Sequence, residues 1–168
     1  NERSEPPIQF ALRNNKKDHL DLLIKYGSSR EMYFLESKSE YKKSKLGVLG
    51  YACIYSNIEC IKVLLKNGYA INNEDNSYIQ PISACVMENK SNVLKFLINN
   101  NANIHLKNVR EGTALDIAKK LNFKECIDIL EKQIKIENDK SEKAANQLLN
   151  NEKNKSKKKS KKKKNKLS

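Results

Sequence analysis

No stretch of the 168-residue chain approaches the roughly 18 consecutive apolar residues of a membrane span, so the sequence offers no helix that would cross a bilayer. Cysteine occurs four times and histidine twice, but there is no CxxC pair. Neither His19 nor His105 stands at ligand spacing from a thiol, which argues against zinc. A glycine-rich phosphate loop, a GxSxG turn, an HExxH helix and a kinase signature are all missing. His19 has acids close in sequence, Asp18 and Asp21, yet on a helix neither the i−1 nor the i+2 neighbour shares its face. The serines and tyrosines have no positioned base and count as ordinary hydroxyls. The chain is therefore read as non-catalytic, with no catalytic residue, no cofactor and no metal.

What the chain does have is charge, unevenly placed. The formal net charge is +13, and residues 151–168 hold ten lysines against one acid. That segment accounts for +9 and leaves the remaining 150 residues close to ordinary. Its core is Lys157, Lys158, Lys159, Lys161, Lys162, Lys163 and Lys164. Three readings fit the run: a nuclear import signal, an electrostatic contact to RNA, DNA or an acidic surface, or a solvated low-complexity end. No aromatic residue interleaves with the lysines, so base stacking is not on offer. No apolar residue precedes Leu167 there to offset the entropy of ordering, and the segment is expected to be disordered. Residues 135–150 are read as a frayed helical continuation.

The length fits one domain with a modest core. The first residue is Asn rather than Met, and a fragment or processed product is the expectation. The organising feature is internal repetition. Four segments align on Ala11, Ala52, Cys85 and Ala118: PPIQFALRNNKKDHLDLLIKYG, GVLGYACIYSNIECIKVLLKNG, QPISACVMENKSNVLKFLINNN and TALDIAKKLNFKECIDILEKQI. The last two steps are each 33 residues and the first is 41. The repeats lie near 5–28, 46–69, 79–102 and 112–134, giving a repeat domain over 1–134 with an insertion at 29–45 and a tail at 135–168. Each reads as two short amphipathic helices, neither long enough to persist alone in water, so stacking on neighbours is obligatory. Cys60 and Cys126 share a slot with Val93, and Cys85 occupies the alanine slot, so the cysteines are small apolar fillers. His19 falls in the same slot and is expected to be a partly buried packing residue. Reduced thiols fit a cytoplasmic or nuclear protein.

These residues carry a resemblance to ankyrin repeats. Repeat two keeps Leu49, Ala52, Ile61, Val63, Leu64, Leu65 and Gly68. Repeat three keeps Asp75, Pro81, Ile82, Val93, Leu94, Phe96, Leu97 and Ala102; repeat four keeps Thr113, Leu115, Ala118, Ile127 and Leu130. Tyr78 and Glu111 stand where the family has its tip glycine, Gly50 where it has His, Gln80 where it has Thr, and Asn101 where it has the closing Gly. The resemblance implies an all-α solenoid of four helix-turn-helix repeats, ending in the basic tail. It also implies a partner protein held on a concave face built from first-helix ends and hairpin tips. Carried over by position, the helix residues are Arg13, Asn14, Ile54, Tyr55, Met87, Glu88, Lys120 and Leu121. The tip residues are Lys43, Ser44, Leu46, Asn76, Ser77, Ile79, Val109, Arg110 and Gly112. Ile54, Tyr55, Met87 and Leu121 form an apolar stripe, the preferred contact surface.

Residues 28–46 interrupt the period with Met32, Tyr33, Phe34 and Leu35 followed by a charged run. They read either as a long connecting loop or as a binding loop. The function expected is a scaffold or adaptor. The alternatives are a nuclear or nucleic-acid-associated factor that uses the tail, and the recognition module of a larger enzyme.

Overall fold

The computed structural model describes residues 5–27, 33–35, 45–73, 79–108 and 111–164. The chain begins with α1 (Pro7–Arg13) and α2 (Lys17–Lys25), then β1 (Tyr33–Leu35) and β2 (Lys45–Gly47). Three more pairs follow: α3 (Val48–Tyr55) with α4 (Ile58–Lys66), α5 (Pro81–Met87) with α6 (Ser91–Asn99), and α7 (Ala114–Lys120) with α8 (Lys124–Lys164). Helices α3, α5 and α7 start 33 residues apart. The chain divides into two units, residues 1–130 and residues 131–168.

Local chemistry sets the helix ends. Pro7 and Pro81 open α1 and α5, where a missing N–H costs nothing. Asn57 Oδ1 accepts from the Cys60 N–H at 3.0 Å and caps α4. Thr113 and Asp116 form a capping box at α7, with the Asp116 N–H donating to Thr113 Oγ1 at 3.2 Å and the Thr113 N–H donating to Asp116 Oδ2 at 2.8 Å. Second helices close on a left-handed residue: Gly27 (φ 97°), Gly68 (φ 80°) and Asn101 (φ 65°). Asparagine tolerates this region better than other side chains, which is how Asn101 replaces the closing glycine. Asn15, Asn89 and Asn122 use the same conformation, at φ 51–55°, to turn from first helix to second.

The donated bonds hold the Asp116 carboxyl below the usual aspartate range. A depressed folded value gives stability present above the unfolded carboxylate range and lost as pH falls through the folded value. Thr113→Ala is expected to cost about 1 kcal/mol at neutral pH. The cost should shrink on acidification, which urea melts at a series of pH values would follow.

Packing is sequential. Helix α1 packs on α3, α3 on α5, and α5 on α7, while α2 packs on α4. The core of residues 1–130 is a row of small and branched side chains: Ile8, Ala11, Leu12 and Leu20, then Ala52, Cys53, Ile61 and Leu64. It continues through Ile82, Cys85, Leu94 and Leu97 to Ile117, Ala118 and Leu130. Each branched side chain buried in this way contributes about 1.5 to 3 kcal/mol. All four cysteines are free and buried, and burial pushes the Cys53 thiol up to about 12.

Two expectations are corrected here. His19 is exposed, whereas its counterparts Cys60, Val93 and Cys126 are buried. In repeats two to four that slot faces the preceding helix pair, and none is described ahead of repeat one. The segment between repeats one and two is not wholly irregular. β1 and β2 pair antiparallel, with Tyr33 opposite Gly47 and Leu35 opposite Lys45. Residues 28–32 and 36–44 lie outside the described residues. The expectation of a disordered end from Asn151 rests on the lack of apolar side chains to bury; the backbone runs as helix to Lys164. Lysine is a good helix former, so the backbone conformation follows from propensity. The lack of burial behind that expectation is also seen, since residues 138–149 are all exposed. Among the described residues no helix is long and apolar enough to cross a membrane.

Candidate functional site

The ends of the four first helices place the side chains that sequence reasoning picked out. On α1, the exposed Arg13 donates to Glu5 Oε1 at 3.0 Å, and this pairing raises the guanidinium further. Asn14 turns its amide back onto the Phe10 carbonyl at 2.9 Å. On α3, Tyr55 is 41 % exposed and lies against Tyr51, ring centroids 4.5 Å apart. Gln9 Nε2 donates to the Tyr51 hydroxyl at 3.2 Å, so the tyrosine pair is anchored to α1. On α5, Met87 is half-buried and Glu88 exposed. On α7 and just past it, exposed Lys120 donates to Glu111 at 2.9 Å and Leu121 is half-buried.

Other predicted members are elsewhere. Ile54 is 8 % exposed and Ile79 is 4 %, so both belong to the core, and Leu46 is fully buried. The apolar stripe therefore narrows to Tyr55, Met87 and Leu121. Ile54 is turned inward because α3 is covered on both sides, by α1 and α5. Lys43, Ser44, Asn76, Ser77, Val109 and Arg110 lie outside the described residues. Gly112 sits at φ 76°, where an added Cβ would be 2.6 Å from Asp116 Oδ2. The left-handed tip residue is thus Gly112, one position after Glu111.

Sequence reasoning missed the polar ladder beneath the tips. Gln80, fully buried, accepts from the Asn73 N–H at 2.9 Å and donates to the Asn73 carbonyl at 3.1 Å. Asn73 Nδ2 donates to the Ile79 carbonyl at 2.9 Å. The Gln80 N–H donates to Asn108 Oδ1 at 2.8 Å, and Asn108 Nδ2 donates to Ser83 Oγ at 2.8 Å. The Asn103 N–H reaches Asn72 Oδ1 at 2.9 Å and ties successive connectors. A polar residue at 80 where the family has Thr was the available signal. At the opposite turns, Ser56 Oγ donates to the Leu12 carbonyl at 2.7 Å and Lys90 Nζ to the Ser56 carbonyl at 3.2 Å. Burial pulls the Lys90 ammonium below its ordinary value. Lys90 borders a shallow cleft of about 360 Å³ whose walls include Asn57, Glu59, Asn92 and Val93.

Among the described residues, no group of histidine, cysteine and acidic side chains could hold a metal ion. A family model described as ankyrin repeats (3 copies) matches residues 49–144, more than half of the chain. The chain belongs to the ankyrin-repeat family. No curated protein matches it. The matched residues begin within α3, so the α1–α2 pair precedes them. Two departures of this ankyrin-repeat protein gain a physical reason. Gly50 replaces the family's His because a Cβ there would come 2.7 Å from Leu46 Cδ1, whose side chain is fully buried. Gln80 replaces Thr and its longer side chain bonds both polar groups of the Asn73 backbone.

Proposed function

We propose that this ankyrin-repeat protein is a non-catalytic adaptor that holds a partner protein against the ends of its first helices. Ankyrin repeats are in general protein–protein interaction modules. The observation that carries the reading is Tyr55, held by Tyr51 yet 41 % exposed, with Met87 and Leu121 at the corresponding ends of α5 and α7. Arg13, Asn14, Glu88 and Lys120 supply the polar rim. Aromatic residues and methionine are enriched at interface cores, and a tyrosine already braced by a neighbour loses little freedom when a partner covers it. Tyr55→Ala and Met87→Ala should each weaken partner capture by about 1 kcal/mol or more while shifting the melting curve little. Unchanged retention of the partner by the double variant in a pull-down would refute the assignment.

The lysine run supports a second activity, contact with nucleic acid or another polyanion. Binding of that kind is non-specific and electrostatic. Its logarithm should fall by about 0.7 to 0.9 per tenfold rise in salt for each phosphate engaged. RNA binding that ignores salt, or that survives deletion of residues 151–168, would remove the tail from consideration.

A further inference from the structure

Repeat one presents to solvent a face that the other three repeats keep covered. At the fourth position of the first helices stand Phe10, Tyr51, Ala84 and Ile117, which are 56 %, 4 %, 0 % and 0 % exposed. At the first position Pro7 is exposed where Val48, Pro81 and Ala114 are buried. In the second helices His19 is exposed where Cys60, Val93 and Cys126 are buried, and Leu23 is half-buried where Leu64, Leu97 and Leu130 are fully buried. Leu22 and Tyr26 complete the face, 52 % and 80 % exposed. In each later repeat the slots of Pro7, Phe10, His19 and Leu23 are buried and the slot of Leu22 is half-buried as Val63, Phe96 and Ile129, with α3 packed on α1, α5 on α3 and α7 on α5. The terminal unit of a repeat stack needs a polar outer face to stay soluble. Repeat one has the apolar pattern of an interior unit instead.

We propose that this face seats one further ankyrin-type helix pair, stacked ahead of repeat one in the same sense. The chemistry of that pair follows from the three existing junctions. It presents small or branched apolar residues at the slot of Leu12, Cys53 and Val86, against Phe10 and Leu22. It also carries a cation opposite Asp18. Asp18 is the second residue of its helix, as Glu125 is of α8, and Glu125 accepts from Lys95 of the preceding repeat at 2.9 Å. A head-to-tail second copy fits poorly. In repeat four the corresponding slot holds the exposed Lys119, which would bring an ammonium onto Phe10 and Leu22. The inference is independent of the partner-binding reading, which concerns the other ends of the first helices.

The test compares the chain as it stands with two fusions, each placing one helix pair ahead of Pro7 in the 33-residue register. One fusion copies residues 48–68 and the other residues 81–101, so that a folding fault in one does not decide the outcome. The better fusion should raise Tm by about 5 °C or more. Leu22→Ala and Phe10→Ala should be nearly silent in the unfused chain and lower Tm by several degrees in the fusion. No gain in Tm from either fusion would overturn the proposal, as would equal silence of Leu22→Ala in both settings. So would sedimentation of the unfused chain as a dimer that Leu22→Glu dissociates, because a second copy would then be the occupant.

Discussion

Gln80→Ala is expected to destabilise the unit of residues 1–130 by about 2 to 4 kcal/mol, since each interior polar group left without its partner costs about 1 to 3 kcal/mol. Two such groups are at issue. The Asn73 N–H and carbonyl both bond the Gln80 amide, at 2.9 and 3.1 Å, and alanine reaches neither. The backbone N–H of residue 80 would keep its bond to Asn108, so the ladder loses one rung and not all. The loss should appear as a lower urea midpoint with an unchanged slope, because the surface exposed on unfolding is the same. A change below about 0.5 kcal/mol would mean that water replaces the amide at Asn73, and that the ladder is dispensable.

A second large effect is expected in the core. Leu64→Ala should cost about 2 to 5 kcal/mol, the range for truncating a fully buried leucine when the surroundings relax only partly. Helix α4 has nine residues and would be marginal by itself, so what holds it is this apolar face packed on its neighbours. In a repeat stack each unit depends on the adjoining interface, and damage in repeat two weakens the support of repeats one and three as well. Leu22→Ala is the internal comparison: the same change in the corresponding helix of repeat one, at a side chain 52 % exposed, should stay within about 0.5 kcal/mol. Thermal melts of the two variants side by side would check the contrast. Equal losses would show that burial by neighbouring repeats is not what stabilises α4.

The contrast shows where sequence reading succeeds and where it stops. The 33-residue step and the repeated apolar slots made the helix pairs legible, because a short helix must bury one face and the period records which. Pro7 and Pro81 open two helices and Gly27 and Gly68 close two, through backbone rules that act within a few residues. The candidate surface was only half legible. Tyr55 and Met87, chosen by position, are exposed and half-buried, but Ile54 and Ile79 were placed with them and are core. Position within a repeat says which way a side chain points, and only the neighbours decide whether anything covers it.

Taken alone, the order of residues determined that this is a stack of short helix pairs, that its cysteines are packing residues, and that its lysines gather at one end. Those features depend on local propensity and on a period that can be counted. The tertiary structure decided that His19 and Phe10 meet solvent while Val93 and Tyr51 do not, that Gln80 bridges to Asn73 and Asn108, and that a Cβ at Gly50 would press on Leu46. Each depends on what an adjacent repeat places within a few ångströms, and that proximity is fixed only when the chain stacks.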